Sequence, residues 1–323
     1  MTLVSILLPV YNEEGNVERA HAEISEVFAT LPDVEIEFVF ADNHSTDTTF
    51  QKLEQIAARD SRVRVLRYAR NFGFNRSVLT GYRHARGDAA IQIDCDLEDP
   101  PAVMLDFVRL WRHGHDVVVG VRAQRQESWL LSRARRIYYR LVDAISEEKH
   151  ETDAGDFRLV DRRILDQLRL IRDAQPYVRG LVSGLARNQA AVRYARNRRL
   201  AGESKFRLKG LIRLAMEGIF AQSTAPLKLA TVAGFAIAFL TTILSGVYLV
   251  LRLLSSNWPQ GFATTQILIL FGISLNAIFL GIIGEYIGRI YIQIRDRPLV
   301  VVEQAINIDT AENLTFPQGT RDA

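Results

Sequence analysis

A single cysteine, Cys95, is all that the 323 residues contain. No disulfide framework can form, so nothing in the cysteine usage points to an oxidising compartment. Charge of one sign is also lacking: 40 Lys and Arg stand against 37 Asp and Glu, and the resulting +3 is too small to imply a nucleic-acid partner. The opening residues, Met1-Thr2-Leu3-Val4-Ser5-Ile6-Leu7-Leu8-Pro9, have no basic flank and no small-residue cleavage site. They read as a first buried strand rather than a signal peptide. Internal repeats and low-complexity tracts are absent from the sequence.

What is present is unevenly spread. The averages of 48% hydrophobic and 24% charged residues look globular, but the chain is charge-rich up to about Thr224 and almost purely apolar from Pro226 to Gly288. Two uncharged runs, Leu229–Leu251 and Thr265–Gly284, each have about the length that crosses a hydrocarbon core. The alternative, two buried core helices, is disfavoured because soluble helices seldom stay apolar all round for so long. The connection near Ser255-Ser256-Asn257-Trp258-Pro259-Gln260-Gly261 lacks Lys and Arg, whereas Lys228 precedes the first run and Arg289, Arg295 and Arg297 follow the second. The positive-inside rule then places both outer ends in the cytoplasm. The expectation is a multi-pass protein of the inner (cytoplasmic) membrane with both termini and the N-terminal domain cytoplasmic. Trp258 and Tyr291 fit interfacial anchors, and Glu285 is either an interface residue or the partner of a basic group. Gly284 and Gly288 form a small-xxx-small pair.

The first ~120 residues alternate short apolar runs with helical patterns. Strands are expected at Leu3–Leu8, Ile36–Phe40, Val63–Leu66, Ala89–Ile93 and Val117–Val119. Helices are expected at about Glu14–Leu31, Thr46–Arg59, Phe74–Arg86 and Ala102–His113. Such alternation predicts an α/β fold with a mostly parallel sheet and helices on both faces. Ligands bind such sheets at the carboxyl ends of the strands. Every polar cluster of interest falls there: Pro9-Val10-Tyr11-Asn12-Glu13-Glu14, Asp42-Asn43-His44-Ser45, Arg70-Asn71-Phe72-Gly73 and Asp94-Cys95-Asp96.

Asp94 and Asp96 are spaced to share a hard cation where the strand breaks into a turn. Mg²⁺ takes one or two carboxylates plus substrate phosphates, and so placed it neutralises a diphosphate leaving group. Asp99 fits a cap on the helix that begins near Pro101. Asp42 is either a hydrogen-bond acceptor for a nucleotide base or ribose, or a turn residue with Ser45 capping the next helix. Six arginines stand against the single acid Glu127 between Arg122 and Arg140, and eight basic residues against Glu203 between Arg193 and Arg213. Arginine suits phosphate through bidentate, charge-assisted hydrogen bonds. The stretches Ser132–Leu141 and Phe206–Phe220 are basic and amphipathic, as helices at a membrane interface are. Anionic headgroups or a lipid phosphate therefore suit these runs better than RNA, and stacking aromatics are too sparse for single-stranded nucleic acid.

Taken in order, these motifs resemble family 2 glycosyltransferases of the polyprenyl-phosphate class, which includes dolichyl-phosphate mannose synthase-like and bacterial bactoprenol glucosyltransferase-type members. The resemblance also rests on Ala154-Gly155-Asp156-Phe157-Arg158-Leu159, Gly202-Glu203-Ser204-Lys205 and Gly284-Glu285-Tyr286-Ile287-Gly288-Arg289-Ile290-Tyr291. It covers nearly the whole chain up to about Glu303. It implies a GT-A (Rossmann-like) fold and an inverting transfer that depends on Mg²⁺ or Mn²⁺. It implies donor binding by Pro9, Tyr11, Glu13, Asp42, Asn71 and Asp94, metal binding by Asp94, Asp96 and Glu98, and an essential Asp156 near the acceptor. Arg122 matches the arginine that holds the acceptor phosphate, Ser132 and Arg136 are looser matches, and Arg199 and Lys205 match a basic loop that closes over the substrates. One departure is Asp42-Asn43-His44-Ser45, where many relatives carry Asp-Asp-Gly-Ser.

The expected reaction is transfer of a sugar, glucose from UDP-glucose first, to undecaprenyl or another polyprenyl phosphate for cell-envelope glycan modification. Aminoarabinose derivatives of UDP and GDP-mannose stay open as donors. The acceptor is already anionic, so direct in-line attack needs little deprotonation, and Asp156 either orients substrate groups or assists residual proton transfer. The alternatives are a processive polysaccharide synthase and a non-catalytic nucleotide-sugar-binding scaffold. The expected organisation is a catalytic domain over 1–200, an amphipathic interface region over 201–226, a two-helix anchor over 227–292 and a cytoplasmic tail over 293–323, in a homo-oligomer.

Overall fold

The computed structural model describes residues 1–122, 154–196, 230–237, 262–295 and 297–308, with isolated positions between 227 and 250. Its strands are β1 (Thr2–Val10), β2 (Val34–Asp42), β3 (Val63–Tyr68), β4 (Ala89–Gln92), β5 (Val117–Arg122), β6 (Ala154–Asp161), β7 (Gln189–Tyr194) and β8 (Val302–Ile306). Its helices are α1 (Val17–Phe28), α2 (Thr49–Arg59), α3 (Phe74–His84), α4 (Val103–Arg112), α5 (Arg162–Leu170), α6 (Val178–Leu185) and α7 (Phe262–Ile294).

The strands form one sheet in the order β7-β5-β6-β4-β1-β2-β3-β8. β1 runs parallel to both β2 and β4, β2 parallel to β3, and β5 parallel to β7. β6 lies antiparallel between β4 and β5, and β8 antiparallel against β3. Because side chains alternate across a strand, β1 feeds two cores. Val4, Ile6 and Leu8 join α1, α2 and α4 on one face, while Leu7 joins α3, α5 and α6 on the other. A sheet covered on both faces explains why the central strands read as continuous apolar runs. Helix α1 shows the matching periodicity: Val17, Ala20, Ile24 and Phe28 are its buried residues. Each large apolar side chain on that stripe contributes about 1.5–3 kcal/mol on burial.

At the amino ends of the central strands a buried charge cluster sits in the sheet. The carboxylate of Glu37 accepts from Ser5 Oγ at 2.6 Å and Arg86 Nε at 2.9 Å, and Arg64 Nη1 lies 3.4 Å away. Arg64 is wholly buried, so Glu37 is its counter-charge inside the protein.

Two expectations change. The segment expected as a tail over 293–323 contributes β8, which completes the sheet beside β3; its Glu303 and Gln304 are exposed, as suits an edge strand. Helix α7 runs past the uncharged stretch that ends at Gly284 and reaches Ile294, two residues beyond the expected anchor bound at 292. Among the described residues it is the one helix long and apolar enough to cross a membrane, over Phe271–Ile294 with a mean hydropathy of 1.5. Within it Arg289 Nε donates to Glu285 at 2.9 Å, so Glu285 has a basic partner one turn away. Of the first expected span, residues 230–237 are helical. The sheet with β8 forms one compact unit and α7 with residues 230–237 belongs to another.

Candidate active site

The loops that leave the carboxyl ends of β1, β2, β3 and β4 tie to one another through side chains. After β1, Asn12 (φ 56°) accepts from the Thr46 N–H at 2.8 Å, and the Glu13 N–H donates to Thr49 Oγ1 at 2.8 Å. Glu14 accepts from both the N–H and Oγ1 of Thr48. These loop bonds occupy residues expected to be helical, which is why α1 and α2 start at Val17 and Thr49.

After β2, Asp42 is wholly buried, and one carboxylate oxygen accepts from the Ser45 N–H at 3.0 Å and Ser45 Oγ at 2.6 Å. Ser45 therefore closes an Asx turn on Asp42 and is not the cap of α2. The other Asp42 oxygen is buried with no hydrogen-bond partner among the described residues. Burial pushes the Asp42 carboxyl above its ordinary pKa, against the Ser45 hydrogen bonds. Asn43 joins this loop to the next: its amide donates to Asn71 at 3.0 Å and its carbonyl accepts from the Phe72 N–H at 2.9 Å. Gly73, with φ of 91°, then turns the chain into α3.

After β4, the 94–99 loop is held from several sides. Asp96 accepts from the Glu98 N–H at 3.1 Å, Arg19 on α1 donates to the Asp96 carbonyl at 2.7 Å, and Leu97 sits at φ 53°. Antiparallel pairing sets Gln92 opposite Arg158; continued by two residues, that register brings Asp156 on β6 beside Asp94. Asp156 lies 3.1 Å from Arg179 Nη2 and 3.6 Å from Arg158 Nη2. Burial first, then the charges of Asp156, Asp96 and Asp99, push Asp94 up to about 7, with Arg122 opposing. Burial likewise raises the Cys95 thiol well above its ordinary range.

These loops enclose a pocket of about 300 Å³. Five of the expected donor residues, Pro9, Tyr11, Glu13, Asn71 and Asp94, line it together with Asp96, while Asp42 lies buried behind Asn43. Tyr11 and Phe74 keep 42% and 44% of their surface exposed at the pocket, giving it two aromatic faces.

Other expectations fare differently. Glu98 does not join Asp94 and Asp96: it is 6% exposed and ion-paired to Arg196 Nη2. Among the described residues no group of three His, Cys, Asp or Glu is placed to hold an ion, so the metal-capable set reduces to two carboxylates. Asp99 is no helix cap, because α4 begins at Val103 without a side-chain cap and the Asp99 carboxylate instead binds Arg122 and Tyr194. Ser132, Arg136, Arg199 and Lys205 lie outside the described residues, as do the two basic amphipathic stretches. Sequence reasoning missed Asn43, Phe74 and Ser77 in the pocket wall and Arg19 and Arg179 behind it. Asn43 does lie in the Asp42-Asn43-His44-Ser45 cluster expected at the end of the second strand, without a binding role assigned to it there.

The family model for glycosyl transferase family 2 matches residues 5–169. The chain belongs to glycosyl transferase family 2. That match spans every residue of the pocket wall and Asp156, and the sheet around it has the GT-A-like, mostly parallel α/β arrangement. Similarity to other family 2 chains extends much further. The uncharacterized glycosyltransferase YkcC of Bacillus subtilis (strain 168) is 35% identical over 306 residues, 94% of each chain. The SfII prophage-derived bactoprenol glucosyl transferase of Shigella flexneri is 34% identical, covering 94% of this chain and 98% of its own. A prophage bactoprenol glucosyl transferase homolog of Escherichia coli (strain K12) is 33% identical, covering 93% and 98%.

Proposed function

We propose that this family 2 glycosyltransferase moves a sugar from a nucleotide diphosphate onto the phosphate of a polyprenyl lipid, with inversion at the anomeric carbon. Glucose from UDP-glucose is the first choice, supported by the near full-length relatives named bactoprenol glucosyl transferase. The observation that carries the reading is the pair Asp94 and Asp96 in the pocket wall, with Asp156 close enough to Asp94 to raise its pKa.

Tyr11, Phe74, Asn43 and Asn71 would hold the nucleoside. Burial, then the three carboxylates around Asp94, raise it, so a cation bound there would relieve their mutual repulsion. Asp94 and Asp96 would hold a divalent ion, Mg²⁺ or Mn²⁺, together with substrate phosphate. Such an ion would supply positive charge to the departing diphosphate. Asp156, steered by Arg179 and Arg158, orients the attacking phosphate or a sugar hydroxyl. The lipid phosphate is an anion already, so no strong base is required. Arg122, with Ser132, Arg136, Arg199 and Lys205, forms the acceptor-phosphate set.

The anchor is read as two spans, Leu229–Leu251 and α7, with both termini cytoplasmic, which keeps the pocket on the side where nucleotide sugars are made. The domain plan keeps 1–200 as the catalytic part, 201–226 as an interface region and 227–292 as the anchor, with the chain returning to the sheet as β8. The test is Asp156→Asn in the full-length protein. It should bind donor as the wild type does and lose roughly 10²-fold or more in transfer of label to the lipid; near-normal turnover in a folded variant would sink the assignment.

A further inference from the structure

Asp99 is assigned to neither donor, metal nor acceptor above, yet the fold holds a buried carboxylate there. It is 3% exposed. Arg122 meets it side-on, Nε at 3.3 Å from Oδ1 and Nη2 at 3.2 Å from Oδ2. Tyr194 Oη donates to Oδ1 at 2.7 Å, and Arg196 Nε lies 3.7 Å away. The loop that opens with the pocket carboxylates therefore closes on the carboxyl ends of β5 and β7. Arg122 also lies near enough to the pocket to favour the ionised form of Asp94.

An arginine whose Nε and Nη2 are both committed to one carboxylate has its plane fixed. The guanidinium carries five N–H donors, so its Nη1 edge keeps donors for a second anion. A free arginine would have to give up rotamer entropy when that anion arrives; one clamped in advance would not. The charge on Asp99 is essential to this arrangement, because a neutral amide of the same shape offers one acceptor oxygen where the side-on pair needs two.

We infer that Asp99 is a positioning residue: backed by Tyr194, it fixes the guanidinium of Arg122 so that the remaining edge meets a phosphate oxygen of the lipid acceptor. This rests on the reading of Arg122 as a ligand of that phosphate. The donor diphosphate offers the same chemistry, and separate KM values tell the two apart.

The experiment uses full-length protein in detergent micelles with undecaprenyl phosphate and a nucleotide sugar that the wild type turns over. Asp99→Asn should raise the KM for undecaprenyl phosphate by about tenfold or more, leaving the donor KM within about twofold. Tyr194→Phe, which removes the hydroxyl that contacts both Asp99 and Arg122 and keeps the ion pair, should move the same constant in the same direction by less, and it carries the test should Asp99→Asn fail to fold. Because Asp99 acts through Arg122, Asp99→Asn combined with Arg122→Lys should be no worse than Arg122→Lys alone. An unchanged acceptor KM, an equal rise in the donor KM, or additive losses in the double variant would each overturn the proposal. If Arg122→Lys itself leaves the acceptor KM unchanged, the reading of Arg122 fails; if it raises that KM while Asp99→Asn does not, only the role of Asp99 fails.

Discussion

Replacing Asp94 with Asn should make the metal-free protein more stable at alkaline pH while removing its activity. An ordinary aspartate ionises near 3.9, whereas Asp94 in the fold is pushed up to about 7 by burial and three neighbouring carboxylates. Between those values the native state holds a proton that the unfolded chain has released, so stability falls as pH rises through that window, and the loss is complete above about 7. Taken at face value the difference corresponds to about 4 kcal/mol. Asp94 opens partly onto the pocket, where water screens it, and about 2 kcal/mol is the figure to expect. For a domain of this size that is about 4–8 °C in unfolding temperature. The assay is thermal unfolding of wild type and Asp94→Asn in EDTA at pH 5 and pH 8.5. The gap between the two proteins should be small at pH 5, where the loss has only begun, and widen by pH 8.5 with the variant higher. A variant equal to or below the wild type at pH 8.5 would refute the reasoning.

Metal binding must displace the proton on Asp94, so apparent affinity for Mn²⁺ should rise by roughly tenfold per pH unit below 7 and level off above it; calorimetric titration from pH 5.5 to 8.5 checks this, and a flat profile would count against Asp94 as a ligand. Glu37→Gln removes the buried carboxylate that faces the wholly buried Arg64 and should cost about 3–5 kcal/mol, read by chemical denaturation. EDTA should abolish transfer and added Mg²⁺ or Mn²⁺ restore it, measured as label in the lipid phase.

The β1–β5 half of the fold was legible because its strands are apolar on both faces and separated by helices of regular period. Strand β6 was not, since Asp156 and Arg158 break its apolar pattern; Arg158 is nonetheless 1% exposed, with its Nη2 donating to the Gly155 carbonyl and lying 3.6 Å from Asp156. Strand β8 escaped notice because Val302-Glu303-Gln304-Ala305-Ile306 has the composition of an exposed edge. At the site, residues directly after strands were found because topology sends those loops to one end of the sheet. Glu98 enters the metal set through the family resemblance alone, and the sequence around it does not reveal that Leu97 adopts a left-handed conformation. Nor does it reveal that Arg196, some hundred residues on, takes the Glu98 carboxylate. Arg19 and Arg179 act on the site through contacts between distant elements, and nothing near them in sequence marks that.

The central claim is sugar transfer from a nucleotide to a lipid phosphate at Asp94, Asp96 and Asp156. Its most direct test is incubation of full-length protein with undecaprenyl phosphate, Mg²⁺ or Mn²⁺ and a panel of radiolabelled nucleotide sugars, followed by extraction into organic solvent. Lipid-extractable label is predicted, from UDP-glucose first, that depends on the phosphate of the acceptor and on the metal. Donor binding with no lipid-extractable label from any sugar in the panel would contradict the account.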